Sequence, residues 1–406
     1  MSNKTIIGID IRILVLGRRT GVEEYLINLL PRMVEQNPDV TFRLFYNAWH
    51  KPAELKAYRG FDFAKWKNAE LCEFSIPNRF ALFPLNALLH WPKIDRLIGG
   101  CDVFWSPHIF NAAISPGTRH VVTVHDLAFE RYPEYFSLGK RLWHTMLMRP
   151  KTQLEGADHL ITPSHSTASD LQTLYKIPAS KITVIHPGVG EEFRPVKPNP
   201  ADPSLRAKYR LPERFILYFG TIEPRKNIGG LIRAFEILKS TESASNHSVT
   251  PSLRHSVTSQ LKLVVAGSPG WLYEDVYKAA KKSSFASDII FPGFIAEEDT
   301  CALYNLADVF VYPSFFEGFG FPPLEAMACG VAVITSNRSS LPEVVGNAAI
   351  VINPDKPGEI ADALQVALHD SATRQILITQ GITRARTFSW NACATKTMEC
   401  LLHGVR

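Results

Sequence analysis

A chain of 406 residues with 46% hydrophobic and 20% charged side chains exceeds one ordinary core and has the balance of a folded soluble protein. No apolar run approaches the ~20 residues of a membrane-spanning helix, and six scattered cysteines without C-x-x-C spacing argue against a disulfide framework or a zinc site and for a reducing cytoplasm. The net charge of +5 is uneven, with 24 Lys+Arg against 19 Asp+Glu in residues 1–200 and 20 against 20 beyond, so an anionic partner is expected at the first half.

The opening "MSNKTIIGIDIRILVLG" is broken by Asp10 and Arg12 and has no small-residue cleavage site, so it reads as a first strand and not as an export signal. Buried-strand runs follow at 5–11, 41–47, 102–107, 120–126, 159–164 and 182–188, alternating with helical patterns. That alternation predicts a doubly wound α/β domain over 1–190. The segment "KRLWHTMLMRPK" (140–151) has two readings: an amphipathic helix packing Leu142, Met146 and Leu147 into a core, or a basic, aromatic surface for peripheral contact with an anionic membrane. The first of these is the expectation.

Six prolines between Pro187 and Pro212 mark a linker, placed at 191–212. Strand runs then restart at 215–221, 261–267, 288–294, 308–314, 331–336 and 348–353, predicting a second α/β domain over 191–386. The Ser/Thr-rich stretch 240–260 reads as a mobile surface loop. Two such domains imply a cleft. Ligands bind beyond the carboxyl ends of parallel strands, so the loops to inspect are "GRRTGVEEY" (17–25), "SPHIFN" (106–111), "HDLAFERY" (125–132), "GTIEPRKN" (220–227), "GFIAEED" (293–299) and "PSFFEGFGFPPLEA" (313–326).

In "GTIEPRKN", Arg225 and Lys226 stand between a strand and a helix. Two fixed cations beside free backbone N–H groups suit a diphosphate. In "PSFFEGFGFPPLEA" the glycines permit close backbone approach to a ligand, and Pro323 starts a helix that would place Glu325 in its first turn. The spacing G-F-G-F-P-P is not that of a dinucleotide fold. Two carboxylates that accept hydroxyls, near two cations, suggest a sugar nucleotide.

In these residues the chain resembles the family 4 retaining glycosyltransferases of the GT-B fold: Glu317 and Glu325 match their E-x7-E element, "GTIEPRKN" their phosphate loop, "TGVEEYLINLL" and "VVTVHDLAFERYPEYFS" their acceptor-side loops, and "FSWNACATKTMECLL" their last helix. The resemblance implies two Rossmann-like domains facing each other across a cleft, with 387–406 crossing back to the first. It also implies roles. Arg225 and Lys226 would hold the leaving diphosphate, with Gly220 and Thr221 beside them. Glu317 and the backbone of Gly318, Phe319 and Gly320 would hold the donor sugar, while Leu324 and Glu325 would lie at the ribose. Phe294 and Ile295 would line the base pocket, and Gly21 would approach from the opposite wall. His125 would lie near the anomeric carbon, a histidine simply bonded at a strand end being the alternative. His108, Asn111 and Asp126 would serve the acceptor.

Two departures stand out: Thr221 occupies the place of an arginine common in relatives, and Asn347 that of a common aspartate. The resemblance implies that no metal or other cofactor is needed, because cationic side chains and a helix N-terminus stabilise the diphosphate; the lack of a D-x-D motif agrees with it. The motif set is most like bacterial mannosyltransferases of O-antigen or exopolysaccharide assembly, which makes GDP-mannose the first donor ahead of GDP-rhamnose, GDP-fucose or a UDP-sugar. The expected partners are that donor and a glycan or glycolipid acceptor, not nucleic acid. The expected location is the cytoplasm or the inner face of its membrane. A sugar-nucleotide epimerase and a non-catalytic nucleotide-sugar-binding subunit remain as other readings.

Overall fold

The computed structural model describes residues 4–16, 21–48, 61, 63–77, 81–196, 203–245 and 260–404. It divides into one unit of Met1–Gly188 with Ser389–Arg406 and a second of Val189–Phe388. The loop residues at 17–20 and the stretch 246–259 expected as a mobile loop lie outside the described residues.

In the first unit β1 (Ile6–Asp10), β2 (Thr41–Asn47), β3 (Ala69–Phe74), β4 (Val103–Ser106), β5 (Arg119–Thr123), β6 (His159–Thr162) and β7 (Ile182–Val184) form one sheet. Its order is β3-β2-β1-β4-β5-β6-β7, and every pairing is parallel. Apolar runs such as "IIGID" and "VFWS" suit strands covered on both faces. β3, "AELCEF", escapes the sequence reading because it is a half-exposed edge strand with two glutamates. The C-terminal helix Trp390–Leu402 packs in this unit against the helix Gly21–Gln36. Trp390 meets Tyr25 edge-on at 6.0 Å, and Arg119 donates to the carbonyls of Cys400 and Leu401 at 2.9 and 3.0 Å.

The second unit has β8 (Arg214–Phe219), β9 (Leu261–Ala266), β10 (Ile289–Gly293), β11 (Val309–Tyr312), β12 (Val333–Ser336) and β13 (Ile350–Ile352). Their order is β10-β9-β8-β11-β12-β13, again all parallel. The chain runs outward from β8 to β10 and returns to the other side of β8 with β11. Loops after β8 and β11 therefore meet at the point where the order reverses.

Three expectations are corrected. Residues 240–245 are not loop but the end of the helix Ile228–Ser245. The linker contains the helix Pro203–Tyr209, held because Tyr209 Oη donates to Asp299 at 2.7 Å and Leu205 packs on the core. Leu142 and Met146 do not pack into a core: they are 60% and 66% exposed, on the helix Leu138–Trp143 and the π-helical turn His144–Met148. The Leu147 side chain lies outside the described ones.

Candidate active site

The loops after β8 and β11 interlock through charge. Arg225 and Lys226 occupy the 3-10 turn Pro224–Lys226 after β8, and Glu317 lies beyond β11. Glu317 Oε1 accepts from Lys226 Nζ at 2.6 Å, and its Oε2 accepts from Arg225 Nη1 at 2.9 Å. Arg225 also binds Glu223 at 2.6 Å, and Lys226 donates to Tyr312 Oη at 2.6 Å. The four charged groups sum to zero, which lets Lys226 be buried and Arg225 nearly so. Burial acts to raise the Glu317 carboxyl, but Arg225, Lys226 and the bonds from Lys226 and Ser314 outweigh it and hold it down at about 2. Burial and Arg225 lower the Lys226 ammonium against the opposing pull of Glu317 and Glu223. Glu317 is thus an ionised, fixed acceptor.

Serines set the backbone between the two acids. Glu317 N–H donates to Ser339 Oγ at 2.8 Å, and Ser340 Oγ donates to the Glu317 and Phe319 carbonyls at 2.9 and 2.7 Å. Ser314 Oγ donates to Glu317 Oε1 at 2.7 Å. Gly320 has φ +111°, and an added Cβ would lie 2.8 Å from Leu341, so the turn into the next helix requires glycine.

That helix is Phe321–Ala328, with Pro322 and Pro323 in its first turn. Glu325 is its fifth residue, past the first turn where it was expected, because the helix begins two residues before Pro323. Its carboxylate accepts from Tyr304 Oη at 2.7 Å, so its orientation comes from the helix Glu297–Leu306 and not from the helix dipole.

The remaining expected donor residues divide by side chain. Leu324 and Ile295 are 0% and 3% exposed and belong to the core, so only their backbone can meet a ligand. Phe319 is buried against Phe321 and Phe388, and Gly318 is buried with it. Phe294, by contrast, is 66% exposed beyond β10 and can stack on a base. Thr221 is exposed after β8, its carbonyl held by Tyr218 Oη at 3.1 Å.

The first unit has its own reversal between β1 and β4, and expected acceptor residues collect there. Asp10 accepts from Arg12 Nη2 at 2.6 Å, and Arg12 Nη2 also donates to the Asn111 carbonyl at 3.0 Å. Arg12 lies over the Phe110 ring at 4.4 Å. Burial pushes the His108 imidazole down to about 4, leaving it neutral. His125, after β5, meets Tyr25 edge-on at 4.9 Å and donates from Nε2 to the Pro107 carbonyl at 2.7 Å. Burial lowers its pKa against the opposing Pro107 bond and Asp126 charge. Asp126 accepts from the Ala128 N–H at 3.0 Å, so it orients backbone. Gly21 is exposed at the start of its helix.

Comparison with known proteins gives these geometries a family. Residues 202–384 match glycosyl transferases group 1 and residues 19–193 match glycosyltransferase family 4. The chain is 34% identical over 281 residues to O-antigen chain mannosyltransferase B of Escherichia coli, covering 69% of each chain. This chain belongs to glycosyltransferase family 4. It is also 35% identical over 278 residues to the serotype-specific mannosyltransferase WbdA of Escherichia coli, covering 67% of this chain but 32% of that longer one. Among solved structures, sucrose-phosphate synthase from Thermosynechococcus elongatus aligns with a TM-score of 0.71 over 98% of both chains at 21% identity, which shows the GT-B fold.

For this glycosyltransferase, sequence reasoning missed Glu223, Tyr304, Tyr312, Ser314, Ser339 and Ser340 around Glu317 and Glu325, and Asp10 and Arg12 in the first unit. Only the glycine and proline punctuation near them gave a signal; Asp10, Glu223 and Ser314 have partners two or three positions away, whereas the partners of Tyr304, Tyr312, Ser339 and Ser340 lie 21 or more positions away. Gly267, after β9, was also missed: a Cβ there would sit 2.0 Å from the Gly220 carbonyl oxygen at φ +132°. Gly267→Ala is expected to cost on the order of 4 kcal/mol or more and to displace the Gly220–Thr221 backbone. Urea denaturation checks this against Gly358→Ala, whose added methyl meets nothing within 4 Å.

Proposed function

We propose that this glycosyltransferase moves mannose from GDP-mannose, with retention of anomeric configuration, to a hydroxyl of a lipid-linked glycan in cell-surface polysaccharide synthesis. The observation that carries the donor half is Glu317 bonded at once to Arg225 and Lys226 at the strand-order reversal. A diphosphate entering there adds negative charge beside buried Lys226 and part-buried Arg225, and Glu317, relieved of part of its pairing, turns its ionised oxygens to sugar hydroxyls. The cations then stabilise the diphosphate as it leaves, an electrostatic contribution that is large in a site shielded from water. Glu325 takes the ribose and Phe294 the base. Neutral His125, its Nε2 proton directed to Pro107, offers Nδ1 as an acceptor for a sugar hydroxyl. The names of the mannosyltransferase relatives support the choice of mannose.

The test is GDP release and glycan extension with lipid-linked acceptor, using GDP-mannose, GDP-fucose and UDP-glucose in turn, with and without excess chelator. Turnover restricted to GDP-mannose and undiminished by chelator is expected. Turnover with a UDP-sugar alone would overturn the donor assignment, and epimerised donor without acceptor would overturn transfer.

We also propose that the first unit rests on an anionic membrane. Leu88, Leu89, Trp91, Leu138, Leu142 and Met146 are each at least 60% exposed, on or next to the helix Phe83–Leu89 and the π-helical turn that touches it. The segment 138–151 adds Lys140, Arg141, Arg149 and Lys151 with no acid. No helix among the described residues is long and apolar enough to cross a membrane, so such contact is peripheral. Replacing both Leu142 and Met146 by glutamate is expected to abolish co-sedimentation with phosphatidylglycerol vesicles; unchanged binding sinks the proposal.

A further inference from the structure

Cys301 and Cys329 approach to 3.9 Å between sulfurs. Cys301 lies on the helix Glu297–Leu306 and Cys329 directly follows the helix Phe321–Ala328. The same two helices are joined at the proposed ribose ligand, because Tyr304 Oη donates to Glu325 at 2.7 Å. Tyr304 is one turn beyond Cys301, and the Cys329 N–H donates to the Glu325 carbonyl at 2.9 Å. The sulfur pair and the acid are therefore two ends of one helix contact.

The two thiols are unlike. Cys301 is partly exposed, while Cys329 is 2% exposed. The hydrogen bond between the two sulfurs lowers the Cys301 pKa, whereas burial is the first cause that raises Cys72, Cys101, Cys393 and Cys400. Of the six thiols, Cys301 combines solvent access with a second sulfur 3.9 Å away that is able to resolve it, features that select for oxidation.

We propose that Cys301 and Cys329 form a reversible disulfide on exposure to a hydroperoxide, and that its closure weakens nucleotide-sugar binding through Glu325. The Cys301 thiolate attacks a peroxide oxygen, the O–O bond breaks, and the departing oxygen takes a proton to leave as water (or an alcohol from an organic hydroperoxide). The Cys329 sulfur then attacks the Cys301 sulfenic sulfur; an S–S bond forms, the S–O bond breaks, and the Cys329 proton leaves in a second water. Two thiols lose two electrons and one peroxide gains them. Closing the sulfurs to about 2.05 Å draws two packed helices together, and a close-packed interior transmits that shift to the Tyr304–Glu325 bond. The binding effect rests on the reading of Glu325 as a donor ligand; the disulfide does not.

The two parts are tested separately on the full chain. After native treatment with hydrogen peroxide and alkylation, mass spectrometry is expected to find peptides joined at Cys301 and Cys329, reversed by dithiothreitol and absent in Cys301→Ser. Alkylated Cys301 and Cys329 after peroxide, or Cys301 carried on to sulfinic acid, overturns the disulfide. Calorimetry with GDP and GDP-mannose is then expected to show at least fivefold weaker binding to oxidised than to reduced wild type, with no change in Cys301→Ser. Equal affinities overturn the regulatory effect. Unaltered binding by reduced Glu325→Gln overturns the ribose reading instead.

Discussion

Glu317→Gln is expected to lower transfer by at least ~100-fold, in line with the loss of one charged group that acts on the reacting sugar. It also removes the carboxylate that pairs with Arg225 and Lys226, leaving Glu223 as the remaining acid of the four-charge cluster. Stripping a partner from a buried ion pair costs about 3–5 kcal/mol, a large share of an ordinary folding free energy. Glutamine is preferable to alanine because it keeps the shape and an acceptor oxygen. The pH dependence separates the electrostatic part. Glu317 is held at about 2 against an ordinary 4.5, so its stabilisation is complete above pH ~4.5 and is lost as pH falls towards 2. The stability gap between wild type and Glu317→Gln is expected to be widest near pH 7 and to narrow below pH ~4.5. Denaturation at pH 7, 5, 4 and 3 checks this, and a gap independent of pH would refute the charge argument.

Lys226→Met is expected to reduce transfer ~100- to 1,000-fold, because the diphosphate loses a buried cation as charge develops on it. Its stability cost should be smaller than that of Glu317→Gln, since Arg225 still pairs with Glu317 at 2.9 Å. The informative comparison is the double variant. With Glu317→Gln and Lys226→Met together, one charge of each sign is removed and cluster neutrality returns. Stability is expected to recover to better than the sum of the single losses, while activity stays at the level of the worse single variant. If activity recovers along with stability, both residues act through the fold and not on the donor.

The alternation of apolar runs made the two parallel sheets legible, because strands covered on both faces leave little sequence ambiguity. β3 was not legible, since at an edge its pattern is that of a polar segment. Leu142 and Met146 carried the spacing of a core-facing stripe, yet spacing cannot tell a stripe that meets a core from one that meets nothing. The residues 240–245 show the same limit at a helix end, where serine-rich composition concealed continued backbone bonding.

For the site, residue chemistry and punctuation alone singled out Arg225, Lys226, Glu317 and Glu325 as the candidates for an anion- and hydroxyl-binding loop set. What only the tertiary structure decided is how they pair. Glu317 pairs with both cations, and completes the neutrality that Glu223 begins, because β11 returns beside β8, and no local signal encodes that return across the 92 positions between Arg225 and Glu317. Likewise Tyr304 reaches Glu325, and the side chains of Leu324 and Ile295 turn inward, because helix and strand packing fixes direction. Sequence pattern specifies which element forms and which chemistry it carries; the order of strands in the sheet specifies which charges meet.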